Sequence, residues 1–218
     1  MKKTVVIIDY QLGNLFSVNQ ALVNIGLDVL ISSDPKDIER ADAIVLPGVG
    51  AFGNAMTNLN KLGLSQPIKD FVLGGKPFLG ICLGLQLLFS TSEEFGASEG
   101  LDLIKGKVKR FSNEVKSKTI RVPQIAWNTI EKPQKDRWER TPLEKIRENE
   151  HMYFVHSYYV APDDESVVLT TTTYGGMSYV SSIFKKNIFA CQFHPEKSAS
   201  EGLKIYREWA VQNQLISI

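Results

Sequence analysis

Cysteine and histidine are scarce in this sequence, which has two cysteines and three histidines among 218 residues. The cysteines, Cys82 and Cys191, show no C-x-x-C spacing and no paired histidine ligands, so the sequence contains no zinc motif. Three histidines are also too few for a typical multi-histidine metal centre. We therefore expect no bound metal and no cofactor.

Long apolar runs and an excess of one charge are missing as well. The 25 basic and 24 acidic side chains nearly cancel, which excludes the basic surface typical of nucleic-acid and anionic-membrane binding. No apolar run approaches the roughly 18 residues that cross a bilayer. Asp9 interrupts the apolar stretch after the N-terminal lysines, and no small-residue cleavage site follows it. We therefore expect a cytoplasmic protein.

Apolar runs alternate with amphipathic segments through the first half of the chain. The predicted strands are Thr4–Asp9, Val29–Ser32, Ala43–Leu46 and Phe78–Ile81. The predicted helices are Leu15–Ile25, Leu59–Val72 with a break near Ser65–Pro67, and Leu83–Phe89. This alternation predicts a parallel sheet covered on both faces, with ligands bound at the carboxyl ends of its strands.

The second half of the chain has a different composition. Residues 101–131 and 151–193 are rich in β-branched and aromatic side chains, which predicts antiparallel strands. The charged and polar segment 132–150 is predicted to be an excursion of the chain or an exposed loop, and residues 200–214 an amphipathic helix. We expect one α/β domain over residues 1–218, with an antiparallel extension.

Cys82 lies between Gly80 and Gly84, after a predicted strand and before a predicted helix. This order is typical of a nucleophile elbow, whose tight turn requires glycines two residues before and after the nucleophile. The helix N-terminus favours a thiolate, and the Leu83 N–H would face an oxyanion. The alternative is a core cysteine, which is the usual role of a lone cysteine. The pattern favours a nucleophile.

His194 is the preferred base for this thiol. It follows an apolar stretch, and Glu196, two residues later, is close enough to fix the imidazole tautomer. The competing bases are His151 and His156, which have only Glu150 nearby to orient them.

A glycine-rich loop, Gly48-Val49-Gly50, follows the third predicted strand. Its glycines allow the backbone close to a ligand, so Val49 or Gly50 is expected to supply a second oxyanion N–H beside that of Leu83. A phosphate site is disfavoured because the Walker lysine and the G-x-G-x-x-G motif are absent. The remaining alternative is a simple flexible turn.

Five segments together resemble the class I glutamine amidotransferases and, within them, the glutaminase subunits of imidazole glycerol phosphate synthase. The segments are IIDYQLGNLFSV (7–18), IVLPGVGAFGNAM (44–56), PFLGICLGLQLLF (77–89), YFVHSYY (153–159) and QFHPEKS (192–198). The resemblance implies a flavodoxin-like class I glutaminase fold, with a central, mostly parallel sheet flanked by helices and an antiparallel β extension.

The resemblance also implies a chemistry. Cys82 would attack the side-chain amide of glutamine, His194 would help ammonia to leave, and water would hydrolyse the thioester. Residues at the family's glutamine-binding positions are Gly48, Gln86, Glu94, Ser157 and Tyr158.

The implied partner is a separate cyclase subunit with a (β/α)8 barrel, which receives the ammonia in histidine biosynthesis. Residues at positions expected near that partner are Asn14, Gln124, Ile125, Trp127 and Lys197. Gln124 and Ala126 depart from the histidine and glycine that the family usually has in this segment, whereas the triad is intact.

Other functions remain compatible with parts of the sequence. A paralogous glutaminase that supplies a sugar-amidinating enzyme would share the same chemistry with a different acceptor. A non-catalytic activating subunit is disfavoured by the intact cysteine, histidine and glutamate. A cysteine peptidase is disfavoured by Gln86 and Glu94.

Overall fold

The computed structural model describes residues 3–115 and 118–216. The strands are β1 (Thr4–Ile8), β2 (Asp28–Ser32), β3 (Ala43–Gly48), β4 (Phe78–Cys82), β5 (Phe89–Ser92), β6 (Ser98–Glu99), β7 (Ile104–Arg110), β8 (Glu114–Val115), β9 (Lys118–Thr119), β10 (Gln124–Ile130), β11 (Glu150–His156), β12 (Tyr158–Pro162), β13 (Val168–Tyr174), β14 (Met177–Lys185) and β15 (Ile188–Cys191). The α-helices are α1 (Leu15–Asn24), α2 (Pro35–Arg40), α3 (Phe52–Lys61), α4 (Ser65–Leu73), α5 (Leu83–Gln86) and α6 (Ala199–Gln212). Two 3-10 turns cover Glu165–Val167 and Pro195–Lys197.

The main sheet has 11 strands within the described ranges. Its first five, in the order β2-β1-β3-β4-β15, are parallel to one another. Strands β14, β12 and β7 follow in antiparallel pairing, and β13 pairs with β14 outside this order. Strands β10 and β11 form a separate antiparallel pair. The predicted fold class, a central parallel sheet with an antiparallel β extension, is confirmed.

Apolar side chains pack on both faces of the parallel strands. In β1, Val6 and Ile8 belong to one core, which includes residues of α3 and α4, while Val5 and Ile7 belong to a second core with residues of α1 and α6. A strand that alternates its side chains between two buried faces must be apolar at every position. None of the helices in the described residues is long and apolar enough to span a membrane.

The helix boundaries around the glycine-rich loop and the elbow differ from the prediction. Helix α3 begins earlier, at Phe52, and the break falls at residues 62–64, where Gly63 adopts a φ of 69°. Pro67 lies in the first turn of α4, where no intrahelical N–H is required. Helix α2 was not predicted, although Asp34 accepts from the Lys36 N–H and Pro35 starts the helix, which is a recognisable N-terminal signal.

The apolar run after the elbow is not one helix. Helix α5 ends at Gln86, and the chain continues into β5. The carbonyls of Leu87 and Leu88 accept from the N–H groups of Leu101 and Leu103, at 2.8 and 2.9 Å. These two carbonyls therefore bond to a distant segment instead of continuing the helix. The prediction was wrong because a short apolar run fits a strand as well as a helix.

Segment 132–150 is partly buried, which differs from the exposed loop that the sequence suggested. Residues 132–149 form turns, but Trp138, Leu143 and Ile146 are buried in the second core. The Trp138 Nε1–H donates to the carbonyl of Leu169 at 2.8 Å. Three apolar side chains therefore anchor a segment whose remaining residues are mostly polar.

We expect Trp138→Ala to lower the free energy of unfolding by about 3–5 kcal/mol, because it empties a buried indole site. Trp138→Phe keeps most of the packing and loses the hydrogen bond to Leu169, so a loss of about 1–2 kcal/mol is expected. The control is Lys135→Ala at an exposed position, expected within about 0.5 kcal/mol of the parent chain. Urea unfolding measures all three, and a Trp138→Ala protein as stable as the parent would contradict the anchoring role.

Candidate active site

The β4–α5 turn holds Cys82 at φ 55° and ψ −108°, a conformation that non-glycine residues rarely adopt. A Cβ on Gly84 would lie 1.7 Å from the carbonyl oxygen of Leu46, and one on Gly80 would lie 2.9 Å from the Cβ of Ala190. The flanking glycines are thus required because α5 packs directly on β3 and β4 packs closely on β15. Helix α5 has four residues, so its dipole is weaker than that of a long helix.

His194 and Glu196 form a buried pair, with 2.7 Å between Nδ1 and Oε1 and side chains 3% and 1% exposed. The other carboxylate oxygen of Glu196 accepts from the Tyr206 hydroxyl at 3.1 Å. The Nε2 atom of His194 is buried without a partner in hydrogen-bond geometry. Burial lowers the pKa of His194, but the nearby charge of Cys82 and the bond to Glu196 outweigh it and raise the pKa to about 10. A protonated imidazole is therefore favoured while the sulfur is a thiolate.

The two competing histidines are in unsuitable environments. His151 is exposed, and the carboxylate of Glu150 accepts from its backbone N–H rather than from its ring. Both ring nitrogens of His156 are engaged, Nδ1 with the Tyr158 carbonyl at 2.8 Å and Nε2 with the Tyr179 hydroxyl at 3.2 Å. Burial lowers the pKa of His156 to about 4, so the ring is neutral near pH 7.

A cavity of about 250 Å³ opens over the Cys82 sulfur. Its lining residues are Val49, Gly50, Cys82, Leu83, Gln86, Glu94, Pro123, Val155, His156, Ser157 and Tyr158. Gly48, which was expected to line it, instead packs on Tyr10: a Cβ there would lie 1.9 Å from the hydroxyl oxygen. A larger cavity of about 800 Å³ lies near Arg137 and the 3-10 turn Glu165–Val167, but Cys82 does not line it, and His194 and Glu196 line neither cavity.

Two of the expected glutamine-binding side chains already have partners in the chain. The Nε2 of Gln86 donates to the carbonyl of Tyr158 and to Oε1 of Gln192, at 3.1 and 3.0 Å, so only its Oε1 remains for a ligand. One oxygen of Glu94 accepts from the Phe52 N–H at 2.6 Å, which ties the glycine-rich loop to the cavity wall. Burial raises the pKa of Glu94, and the bond from Phe52 opposes that shift.

The expected partner residues divide between the surface and the interior. The exposed members of that set are Asn14, Ile125, Trp127 and Lys197. Ile125 and Trp127 are 60% and 51% exposed, and the Trp127 ring contacts that of Tyr153. Gln124 is completely buried against Tyr179, so the expectation of a direct partner contact through its side chain is wrong. The alternation of a strand explains this, because adjacent residues of β10 face opposite sides.

Gln192, which was not predicted as a site residue, places its Nε2 3.6 Å from the Cys82 sulfur. Strand β15 runs parallel to β4 with Cys191 opposite Ile81, so the next residue of each strand is adjacent at the carboxyl edge. A glutamine side chain does not indicate a site residue by its type alone. Its position directly after the same strand that leads to His194 was the available clue.

The sequence matches the family model "Glutamine amidotransferase class-I" over residues 6–212. It is 50% identical over 204 residues to the imidazole glycerol phosphate synthase subunit HisH of Aquifex aeolicus, covering 92% of each chain. It is 46% identical over 216 residues to the HisH subunit of Gloeothece citriformis, covering 98% of each.

Solved structures show the same fold. The structure of PurLQS from Thermotoga maritima superposes with a TM-score of 0.70 at 18% identity, covering 95% of this chain and 97% of that one. A crystal structure of a glutamine amidotransferase gives a TM-score of 0.71 at 18% identity, covering 96% of this chain and 98% of that one. The chain thus belongs to the class I glutamine amidotransferases and, within them, to the HisH family of imidazole glycerol phosphate synthase subunits.

Proposed function

We propose that this chain hydrolyses glutamine to glutamate and ammonia, and that a partner cyclase subunit uses the ammonia to form imidazole glycerol phosphate in histidine biosynthesis. The observation that carries the proposal is the buried His194–Glu196 pair near Cys82, which itself lines a cavity of about 250 Å³. The names of the relatives favour the histidine pathway over a sugar-amidinating one. We further propose that residues 1–218 act as one amidotransferase domain in the cytoplasm.

The proposed acylation step uses the protonated state of His194. The Cys82 thiolate attacks the amide carbon of glutamine and forms a C–S bond, and the amide oxygen becomes an oxyanion. The N–H groups of Leu83 and of Val49 or Gly50 are proposed to donate to it. His194 then gives its Nε2 proton to the leaving nitrogen, the C–N bond breaks, and ammonia departs.

The proposed deacylation step regenerates the enzyme. Neutral His194 takes a proton from water, and the resulting hydroxide attacks the thioester carbon. The C–S bond breaks, and the sulfur returns to its thiolate form beside a protonated imidazole. The new carboxyl group of the product loses its proton to solvent, and glutamate leaves. Glu196 holds the Nδ1 proton throughout, which fixes the tautomer and stabilises each imidazolium.

The cavity lining supports a glutamine-binding role for four side chains. Gln86 offers Oε1, and Glu94 offers the oxygen that Phe52 does not occupy, so both can accept from the α-ammonium group. Ser157 and Tyr158 close the same wall. Gly48 acts indirectly, since it lets the loop approach Tyr10.

The proposed partner contact lies beside the base. Trp127 is exposed next to Tyr153, whose ring lies 6.5 Å from that of His194. The ammonium of Lys197 lies 5.6 Å from the centre of the Tyr153 ring. A (β/α)8 cyclase subunit is proposed to cover this aromatic surface together with Asn14, so that ammonia is released towards the acceptor.

We expect Cys82→Ala to reduce glutamine hydrolysis by about 10³-fold or more while the protein still folds, because no sulfur remains to form the thioester. A glutamine-analogue electrophile should label Cys82 and spare Cys191, whose pKa burial raises well above its ordinary value. Peptide mass spectrometry identifies the labelled residue. Labelling at Cys191 would refute the assignment.

Glu196→Gln is expected to lower kcat by about 10²-fold or more with little change in KM, because the amide cannot stabilise the imidazolium. Tyr206→Phe is the matched control: it removes one hydrogen bond to Glu196 and keeps the carboxylate, so a much smaller loss is expected. Steady-state kinetics separates the two parameters. An unchanged kcat with a raised KM would place Glu196 in substrate binding instead.

The isolated chain is expected to hydrolyse glutamine slowly, and the histidine-pathway cyclase of the same organism should bind it and accelerate hydrolysis by about 5–150-fold when its nucleotide ligand is present. Ile125→Asp should weaken the complex at least about tenfold, because it buries a charge in the contact. Leu73→Asp on α4, which is 77% exposed, is the control. Absence of a complex, with stimulation by a sugar-amidinating enzyme instead, would overturn the pathway but not the glutaminase.

A further inference from the structure

The Cys82 sulfur has two polar neighbours with opposite electrostatic effects. It lies 3.9 Å from the carbonyl oxygen of Val155, which accepts from a thiol but repels a thiolate. It lies 3.6 Å from the side-chain nitrogen of Gln192, a donor that favours the thiolate. A third influence, the dipole of α5, comes from a helix of four residues and is correspondingly small.

The amide of Gln192 has only one orientation that satisfies its neighbours. Its Oε1 accepts from Nε2 of Gln86 at 3.0 Å, and that nitrogen uses its other proton on the carbonyl of Tyr158 at 3.1 Å. Reversing the Gln192 amide would bring two N–H donors together. Gln192 and Gln86 are 0% and 5% exposed, so water cannot relieve such a clash.

The backbone around Gln192 is fixed as well. Its N–H donates to the carbonyl of Ser181 in β14 at 2.8 Å, while β15 pairs with β4 up to the residue before Cys82. Two parallel strands that end together therefore place Cys82 and Gln192 side by side. The donor is positioned before substrate arrives, which is the condition for electrostatic stabilisation without reorganisation.

We propose that Gln192 is a catalytic residue whose side-chain N–H, held in place by Gln86, stabilises the Cys82 thiolate. The inference rests on the proposed function in that it takes Cys82 as the nucleophile. His194 gives up a proton during the reaction, whereas Gln192 keeps its own. Gln192 therefore stabilises the sulfur both as the attacking thiolate and as the group released from the thioester.

The test is the pH profile of Cys82 alkylation by iodoacetamide without glutamine, followed by peptide mass spectrometry in the full chain. Gln192→Met has similar length and no donor, so its alkylation midpoint should move up by about one pH unit or more. Gln192→Glu, which places an acceptor there, should move it further. A weaker hydrogen bond makes the thiolate more basic, so the limiting rate at high pH should not fall.

Gln124→Met is the matched control, because Gln124 is an equally buried glutamine that bonds to Tyr179 rather than to the sulfur. Its midpoint should equal that of the parent chain. A merely structural role for Gln192 predicts a lower limiting rate or a lower melting temperature with an unmoved midpoint, and that result overturns the proposal.

Gln86→Met supplies the second variant if the Gln192 variants do not fold. It frees the Gln192 amide to reverse, so a smaller upward shift is expected, and an unmoved midpoint overturns the proposal. Alkylation of Cys82 does not require glutamine hydrolysis, so the experiment tests the role of Gln192 independently of the proposed glutaminase function. Normal glutamine hydrolysis with unmoved midpoints removes this inference alone, whereas shifted midpoints in a chain without glutaminase activity remove the proposed function alone.

Discussion

The close packing of α5 on β3 is the constraint on which the candidate site depends. Gly84 lies directly against the Leu46 carbonyl, where a Cβ would approach to 1.7 Å. The chain can turn this tightly only if the residue before α5 adopts a positive φ, which Cys82 does. Surrounding strands buried on both faces hold that strained turn in place. The parallel sheet thereby presents the sulfur at its carboxyl edge.

Two buried histidines show how the surroundings set opposite proton affinities. His156 is surrounded by apolar and aromatic groups and a carbonyl, and burial lowers its pKa to about 4. His194 is also buried, but Glu196 and the sulfur charge raise its pKa to about 10. A buried imidazole therefore becomes a proton donor only where anionic groups face it. This contrast supports His194, and not His156, as the acid in the proposed mechanism.

The sequence predicted the features that depend on local pattern. Alternating apolar runs gave the parallel strands, and glycines around Cys82 with an acid after His194 gave the site residues that the fold brings together. The length of α5 was not predictable, because Leu87 and Leu88 form long-range bonds that periodicity does not encode. The anchoring of Trp138 depends on the distant Leu169 carbonyl in the same way.

Neither the burial of Gln124 nor the role inferred for Gln192 was predicted from the sequence, and the reason is the same for both. Each is a neutral amide whose partner is set by strand register and not by its neighbours in the chain. Gln192 becomes adjacent to Cys82 only because β15 pairs with β4. Gln124 turns inwards only because Ile125 turns outwards in β10. The residue type alone suggests a chemical role for a charged or nucleophilic side chain. The role of an amide depends on its position in the folded structure.

Hydrogen bonds connect the inner face of β10 to the sulfur. Neutral His156 donates through Nδ1 to the Tyr158 carbonyl, so its Nε2 must accept from the Tyr179 hydroxyl. The Tyr179 hydroxyl oxygen is then left as an acceptor for Gln124. Gln124 donates to it through its side-chain N–H if the amide oxygen and nitrogen of Gln124 exchange places. That exchange also gives a partner to the Gln124 nitrogen, which otherwise has none.

The Tyr158 carbonyl also accepts from Gln86, and the bonds continue through Gln192 to Cys82. The residue that departs from the usual family pattern, Gln124, is therefore part of the wall behind the site. Ile125 and Trp127 form the outer face of the same strand. Because adjacent residues of a strand face opposite sides, a change at Gln124 leaves the exposed surface of β10 intact. The proposed partner contact through Ile125 and Trp127 is therefore unaffected by the departure at Gln124.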